Sequence, residues 1–548
     1  MNTTRRGLMA GAAGLAVAGC ADGRVIGFDA PNLTLDVANG GEPLSLDPHK
    51  VSGTWENNLV GSMFVGLTTE DEHADPIPGM AERWETSDDG LVWTFYLREA
   101  TWSDGAPVTA HDFVAAYRRI IDPATMAQYA SVLYPIKNAE ALNSATDDVV
   151  DMTSLGVRAI DDKTFEMTLE HPAPYLPSLL KHYTSYPIPS HVLARIGPDG
   201  ETPIGDDWIK PENIVVNGPY KLKSWQSNYI VVMEKNERFF DAENVQLQRL
   251  YFYPTTDPNV QARGVIAGER GWATNFASNK VDELRNQLPG FVRVSPYLLV
   301  QYLSFNTTRA PFNDARVRRA LTMAINRDFI ANQIYRTGEQ PAYSNVPNGV
   351  LLYPGEPHFR WRDQPLSERQ AEARRLLEEA GFGPNNPLQF EFKHRNSGDN
   401  PRVAVVVQAD WRAIAPWVTV QLVGTEVQVH YATLRAKDFA VGDGGWVADY
   451  NDAKSFLYLH ETRTGPQNYS GYSNPAYDDL MRRANREPDE GARAALLQEA
   501  EQLMLDDAPI SPIVFGTSRN LVTPLVAGYQ DNLEDIHRVR YFRVAPTA

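Results

Sequence analysis

The chain has 548 residues, 43% of them hydrophobic and 10% aromatic, which fills large cores and argues against a disordered protein. A formal net charge of −18 without a long Lys/Arg run argues against a nucleic-acid partner. One cysteine, Cys20, excludes an internal disulfide and a thiolate metal site.

The N-terminus reads "MNTTRRGLMAGAAGLAVAGC". Arg5 and Arg6 form a charged head, and residues 8–17 are apolar but too short to span a bilayer. Residues 1–20 are therefore expected to be an export signal, of twin-arginine or general secretory type. "VAGC" resembles a bacterial lipobox, which makes Cys20 the expected lipidation site and residues 21–32 a tether to the membrane.

Downstream, strand and helix patterns alternate, as in a mixed α/β fold. In "LVWTFYLRE", Trp93, Phe95 and Leu97 share one face of a half-buried strand, and Phe165, Met167 and Leu169 repeat that pattern before Pro172. "NGPY", residues 217–220, is a turn leading into a strand. Two long extended runs follow, one through Tyr297 and Tyr302, the other through "APISPIVFGTSRNLVTP". Between them, a helix starting at Asn313 buries Val317, Leu321 and Ala324. Another is expected to begin with a Ser367–Gln370 capping box and to end at Gly381.

Chemistry-bearing motifs are mostly missing. There is no HExxH, no Walker A loop, no GxGxxG and no GxSxG, so no cofactor or metal is expected. His49, in "LDPHK", reads as a turn residue. "GWVADYND", residues 445–452, places Asp449 after an apolar run, where a carboxylate needs a cation. Asp449 caps a local turn, pairs with an internal base, or receives a cation from a ligand. Asp449 and Asp452 also offer the two acids of a glycosidase, but neither has a visible catalytic context.

Several long stretches, in order, resemble the periplasmic oligopeptide-binding proteins of peptide ABC importers, solute-binding family 5. They are "SLDPHKVSGTWENNLVGSMFVGL", "GMAERWE" with "DGLVWTFYLR" and "WSDGAPVTAHDFV", then "VVNGPYKLKSW", "APFNDARVRRAL", "GWVADYNDAKSFL" and "APISPIVFGTSRNLVTP". The resemblance covers residues 33–548.

It implies an α/β, two-lobed periplasmic-binding-protein fold of type II, in the large three-domain variant, with two strands crossing between lobes. Domain I would comprise residues 33–60, 195–295 and 515–548, domain II residues 61–194, and domain III residues 296–514. The implied function is capture of oligopeptides by a monomeric, lipid-anchored periplasmic receptor. It would deliver them to a permease and its ATPase subunits without chemistry of its own. Relatives of other specificity leave murein peptide or another amine-bearing solute as alternatives, and a peptide sensor without transport as another.

By the same resemblance, Asp449 receives the peptide's α-amino group. Ser52, Gly53, Thr54, Tyr129, Tyr297, Tyr302, Gly445 and Trp446 match other ligand contacts. Trp102, Asp104 and Gly105 read as scaffold. The sequence departs from the family pattern at Val447, where well-studied members carry a cysteine, and at Asp443, where they carry arginine. Asn400 replaces a histidine, and Gly271 replaces the usual acid in "GERGW". The carboxylate end is thus rebuilt, with Arg395, Arg402 and Arg435 as candidates to meet it, and Lys437 beside them.

Overall fold

The structure is a computed structural model that describes residues 24–25, 27–146, 150–195 and 204–546. The expected signal, Cys20 included, lies outside the described residues. No helix among them is long and apolar enough to cross a membrane.

Strand β1 (Thr34–Ala38) is followed by helix α1 (Thr54–Met63). A separate four-stranded antiparallel sheet is then built from β2 (Ala81–Thr86), β3 (Val92–Leu97), β4 (Val157–Asp161) and β5 (Thr164–Thr168), in the order β2-β3-β5-β4. Trp93, Phe95 and Leu97 alternate inward as the period of two predicts. Helix α2 (Ala110–Ile121) lays Phe113, Tyr117 and Ile120 on that sheet; Phe113 and Tyr117 both touch Phe165. Burying such a side chain contributes about 1.5–3 kcal/mol.

The chain then adds β6 (Tyr220–Gln226), β7 (Ile230–Lys235), β8 (Arg249–Tyr253) and β9 (Trp272–Ala273) around β1. Gly271, which departs from the family pattern, sits so close to Gly27 that a Cβ would come within 2.6 Å of its carbonyl oxygen. Strand β10 (Val292–Phe305) leads into helices α3 (Ala315–Met323) and α4 (Leu366–Glu379). Next come β11 (Leu388–Arg395), α5 (Asn400–Ile414), β12 (Val418–Thr425), α6 (Val427–Arg435) and β13 (Val441–Val447). The last large elements are α7 (Lys454–Leu457), α8 (Pro475–Arg486), α9 (Glu490–Asp507) and β14 (Ile510–Val522).

The main path of the large sheet runs β6-β7-β8-β1-β9-β14-β10-β13-β11-β12. β14 and β10 pair with each other along most of their length and join the two halves, β14 reaching β9 and β10 reaching β13. These are the two extended runs read from the sequence. Arg538 pairs with buried Glu70, and Lys181 with Glu534 at 2.5 Å, so ion pairs tie the C-terminal segment to the chain just before and just after the four-stranded sheet.

Two expected helix starts shift. α4 begins at Leu366 with Pro365 as its N-cap, so Ser367 lies inside the first turn and makes no capping box. Helix α3 is capped by Asp314, whose side chain accepts from Arg316 N, rather than by Asn313. Gly381 does end α4's segment, at φ +94°.

Candidate functional site

The site grows out of the end of β13. Antiparallel pairing sets Val447 opposite Leu299 and Gly444 opposite Tyr302. Gly445 leaves room for Gln301, whose Oε1 a Cβ would meet at 2.8 Å. Past the strand, Ala448 N donates to Leu298 O at 2.9 Å, and Asp449 N donates to Ser455 Oγ at 3.0 Å.

Asp452 does the structural work of the turn that follows. Its Oδ1 accepts Lys454 N at 2.8 Å, and Arg493 grips both carboxylate oxygens at 2.8 Å each. With those roles filled, the Asp449 carboxylate has no cation within 4.0 Å among the described residues. Asp449 is half-buried, and burial pushes its carboxyl up to about 7. A desolvated carboxyl without a base is costly to ionise.

Phenols surround it. Tyr129 meets His182 at a tilt and Tyr183 edge-on, with ring centres at 5.8 and 6.4 Å. Tyr458 meets Trp446 edge-on at 6.0 Å. Burial raises the hydroxyl pKa values of Tyr129, Tyr183, Tyr450 and Tyr458, and the charge of Asp449 adds to each. All four therefore lie within the field of that one acid. Trp446 Nε1 is buried without a hydrogen-bond partner.

Asp449 opens into a cavity of about 200 Å³ between residues 131–171 on one side and 449–467 on the other. Its walls include Ser131, His171, Lys454, Tyr458 and Arg463. At its edge the two sides touch. Tyr175 stacks on Tyr450 at 5.2 Å with the rings 11° apart, and its hydroxyl accepts from Lys454 Nζ at 3.0 Å.

The other expected residues fall in varied settings. Ser52 and Thr54 are exposed at the start of α1, where the Ser52 and Gly53 amides both donate to Glu56. Tyr297 is half-buried on β10 and feels the charges of Asp535 and Glu534 and the phenol of Tyr129. Tyr302 is 4% exposed, in the core and outside the Asp449 cavity lining. Arg395 is fully engaged: Nε donates to Asp443 at 2.9 Å, and its other nitrogens reach Tyr431, Gln301 and Asn400. Arg402 pairs with Asp399, which also accepts from Ser278 at 2.7 Å. Arg435 is exposed, lies near the Tyr469 phenol, and has no acid within 4.0 Å among the described residues. Lys437 Nζ donates to Asn468 O.

Comparison with known proteins fits this geometry. The profile of the bacterial extracellular solute-binding proteins, family 5, matches residues 75–468. The chain belongs to this family. The periplasmic oligopeptide-binding protein OppA of Salmonella typhimurium is 37% identical over 98% of both chains. Haemophilus influenzae OppA in complex with RPPGFSPFR superposes with a TM-score of 0.80 at 32% identity, over 94% of this chain and 99% of that one. The Escherichia coli murein tripeptide-binding protein MppA gives 0.82, also at 32% identity, over 94% and 99%. The fold is thus the two-lobed, type II α/β fold expected from the sequence.

Sequence reasoning missed Tyr183, Tyr458, His171 and Lys454. Lys454 and Tyr458 lie just beyond Asp449 in the same motif, so proximity was their one available signal. Nothing local marks His171 or Tyr183, which come to the site from segments far upstream in the chain.

Proposed function

We propose that this protein is a periplasmic receptor that captures oligopeptides between its lobes and delivers them to the permease and ATPase subunits of an ABC importer. The observation that carries this reading is the Asp449 carboxylate, which is desolvated, lies in the field of four phenols, faces the cavity and has no ion-pair partner among the described residues. A peptide α-ammonium supplies three donors and one charge, which is what that carboxylate lacks. Relatives at this level of identity carry oligopeptide binding in their names.

Beyond the amine, the peptide runs extended along Gly445 and Trp446, with Tyr129 and Tyr297 flanking it and Ser52, Gly53 and Thr54 across the cleft. Tyr302 acts from behind the wall. Among the three candidate arginines, Arg435 is best supported for the carboxylate end, because Arg395 and Arg402 already hold acids. The domain division is that of residues 33–60, 195–295 and 515–548, residues 61–194, and residues 296–514. The protein works as a monomer, catalyses nothing, needs no cofactor and binds no nucleic acid. It is tethered to the membrane through Cys20.

A second reading keeps the site and changes the ligand to a murein peptide; the similarity to MppA favours it. Mass spectrometry of ligand retained through purification, followed by calorimetry with tri- to pentapeptides, separates these readings. Retained or tightly bound linear peptides are expected. A retained solute without a primary amine, or hydrolysis of the added peptide, overturns the proposal.

A further inference from the structure

The cavity beside Asp449 also holds a buried base. Lys454 lines it, is only 8% exposed, and has no acid within 4.0 Å among the described residues. Its ammonium makes one hydrogen bond, to Tyr175 Oη at 3.0 Å, which leaves two of its three donors without an acceptor among the described residues.

The neighbouring arginines are already matched. Arg493 is held by Asp452 at 2.8 Å through two nitrogens, and Arg463 donates to Glu461 at 2.7 Å. His171 stays neutral near pH 7: burial, then the charge of Lys454, bring its pKa down to about 4. Glu140 is exposed at the rim and acts on Arg463. What remains unpaired are two acids, Asp449 and, exposed at the rim, Glu140, and one buried base, Lys454, all lining the same 200 Å³ cavity.

An acid and a base that line one small cavity without pairing fit a ligand that brings both complementary charges close together. We propose that Lys454 is a specificity residue that binds an anionic side chain on the ligand's first residue, so that this receptor prefers peptides beginning with Glu or Asp. The inference rests on the reading of Asp449 as the amine site. With the α-ammonium on Asp449, the side-chain carboxylate of the same residue enters the cavity and meets the two open donors of Lys454. The resulting hydrogen bond is charge-assisted and shielded from water.

Calorimetry at pH 8 on the full-length protein tests it with Glu-Ala-Ala-Ala, Gln-Ala-Ala-Ala, Leu-Ala-Ala-Ala and N-acetyl-Leu-Ala-Ala-Ala. The Glu-first peptide is expected to bind at least about tenfold tighter than its Gln-first isostere, the size of one charged hydrogen bond. In Lys454→Met, and in the milder Lys454→Gln, that ratio falls to near one. In Tyr175→Phe, which removes the present partner of Lys454 but keeps the charge, the ratio persists. Equal binding of Glu- and Gln-first peptides, or a ratio that survives loss of Lys454, overturns the assignment. Equal binding of the free and acetylated Leu-first peptides instead overturns the role of Asp449, so the two failures are distinct.

Discussion

Asp443 and Asp449 stand six residues apart, one in β13 and one just beyond it, and the fold treats them in opposite ways. Asp443 accepts from Arg395 Nε at 2.9 Å, from Arg395 N at 3.0 Å, and lies 2.9 Å from His430 Nε2. Burial works to raise its pKa, but the bond from His430 and the charge of Arg395 outweigh it and hold it low. Asp449 receives a single backbone tie, through its own N–H, and its carboxyl rises to about 7. The difference shows which acid the protein leaves open. Asp443 completes its interactions within the protein, whereas the Asp449 carboxylate has no cation within 4.0 Å among the described residues, which is the property the proposed amine role rests on.

The largest effect should come from breaking the closed end. Removing Asp443 strands the Arg395 guanidinium, whose side chain is 12% exposed, and loss of one partner of a buried pair costs about 3–5 kcal/mol. Chemical denaturation of Asp443→Ala should show that loss. An unchanged midpoint would mean that the pair carries no net stability. At the open end, Asp449→Ala should weaken binding of a free-amine tetrapeptide by about 2–5 kcal/mol with little loss of stability, checked by calorimetry and melting.

The two ends should also answer pH with opposite signs. The folded pKa of Asp443 is lowered, so its contribution is present above the unfolded value near 3.8 and is lost as pH falls through the folded value. The folded pKa of Asp449 is raised, so the ligand-free protein is favoured below about pH 4, and that advantage fades as pH rises through about 7. Melting curves of the ligand-free protein should show Asp449→Asn gaining stability over the parent between pH 4 and 7, with a constant gap above. A gap independent of pH would contradict the shifted carboxyl. The smallest effect is expected from Tyr431→Phe, which removes one of several Arg395 bonds and should cost about 0.5–1.5 kcal/mol by denaturation.

Much of the fold was legible. The two crossing strands announce themselves as long extended runs, and the strand of Trp93, Phe95 and Leu97 shows its buried face by alternation alone. Asp449 stood out because an acid follows an apolar stretch. That Asp452, three residues on, takes the capping and pairing roles depends on Arg493, 41 residues downstream. Arg395 looked as free as Arg435 until the fold brought Asp443 to it from 48 residues away. The capping box at Ser367 failed because Pro365 already starts the helix two residues earlier. Local pattern specifies faces and turns, but which charges are already spent is decided by contacts between distant segments.

The central claim is that Asp449 reads a ligand ammonium, and a two-by-two titration tests it most directly. A tetrapeptide and its N-acetylated twin are titrated into the parent protein and into Asp449→Asn. In the parent, the free amine should bind at least about thirtyfold tighter, matching ~2 kcal/mol or more for a desolvated charge pair, and in the variant that advantage should vanish. An advantage that survives in Asp449→Asn, or that is missing from the parent, would place the amine elsewhere.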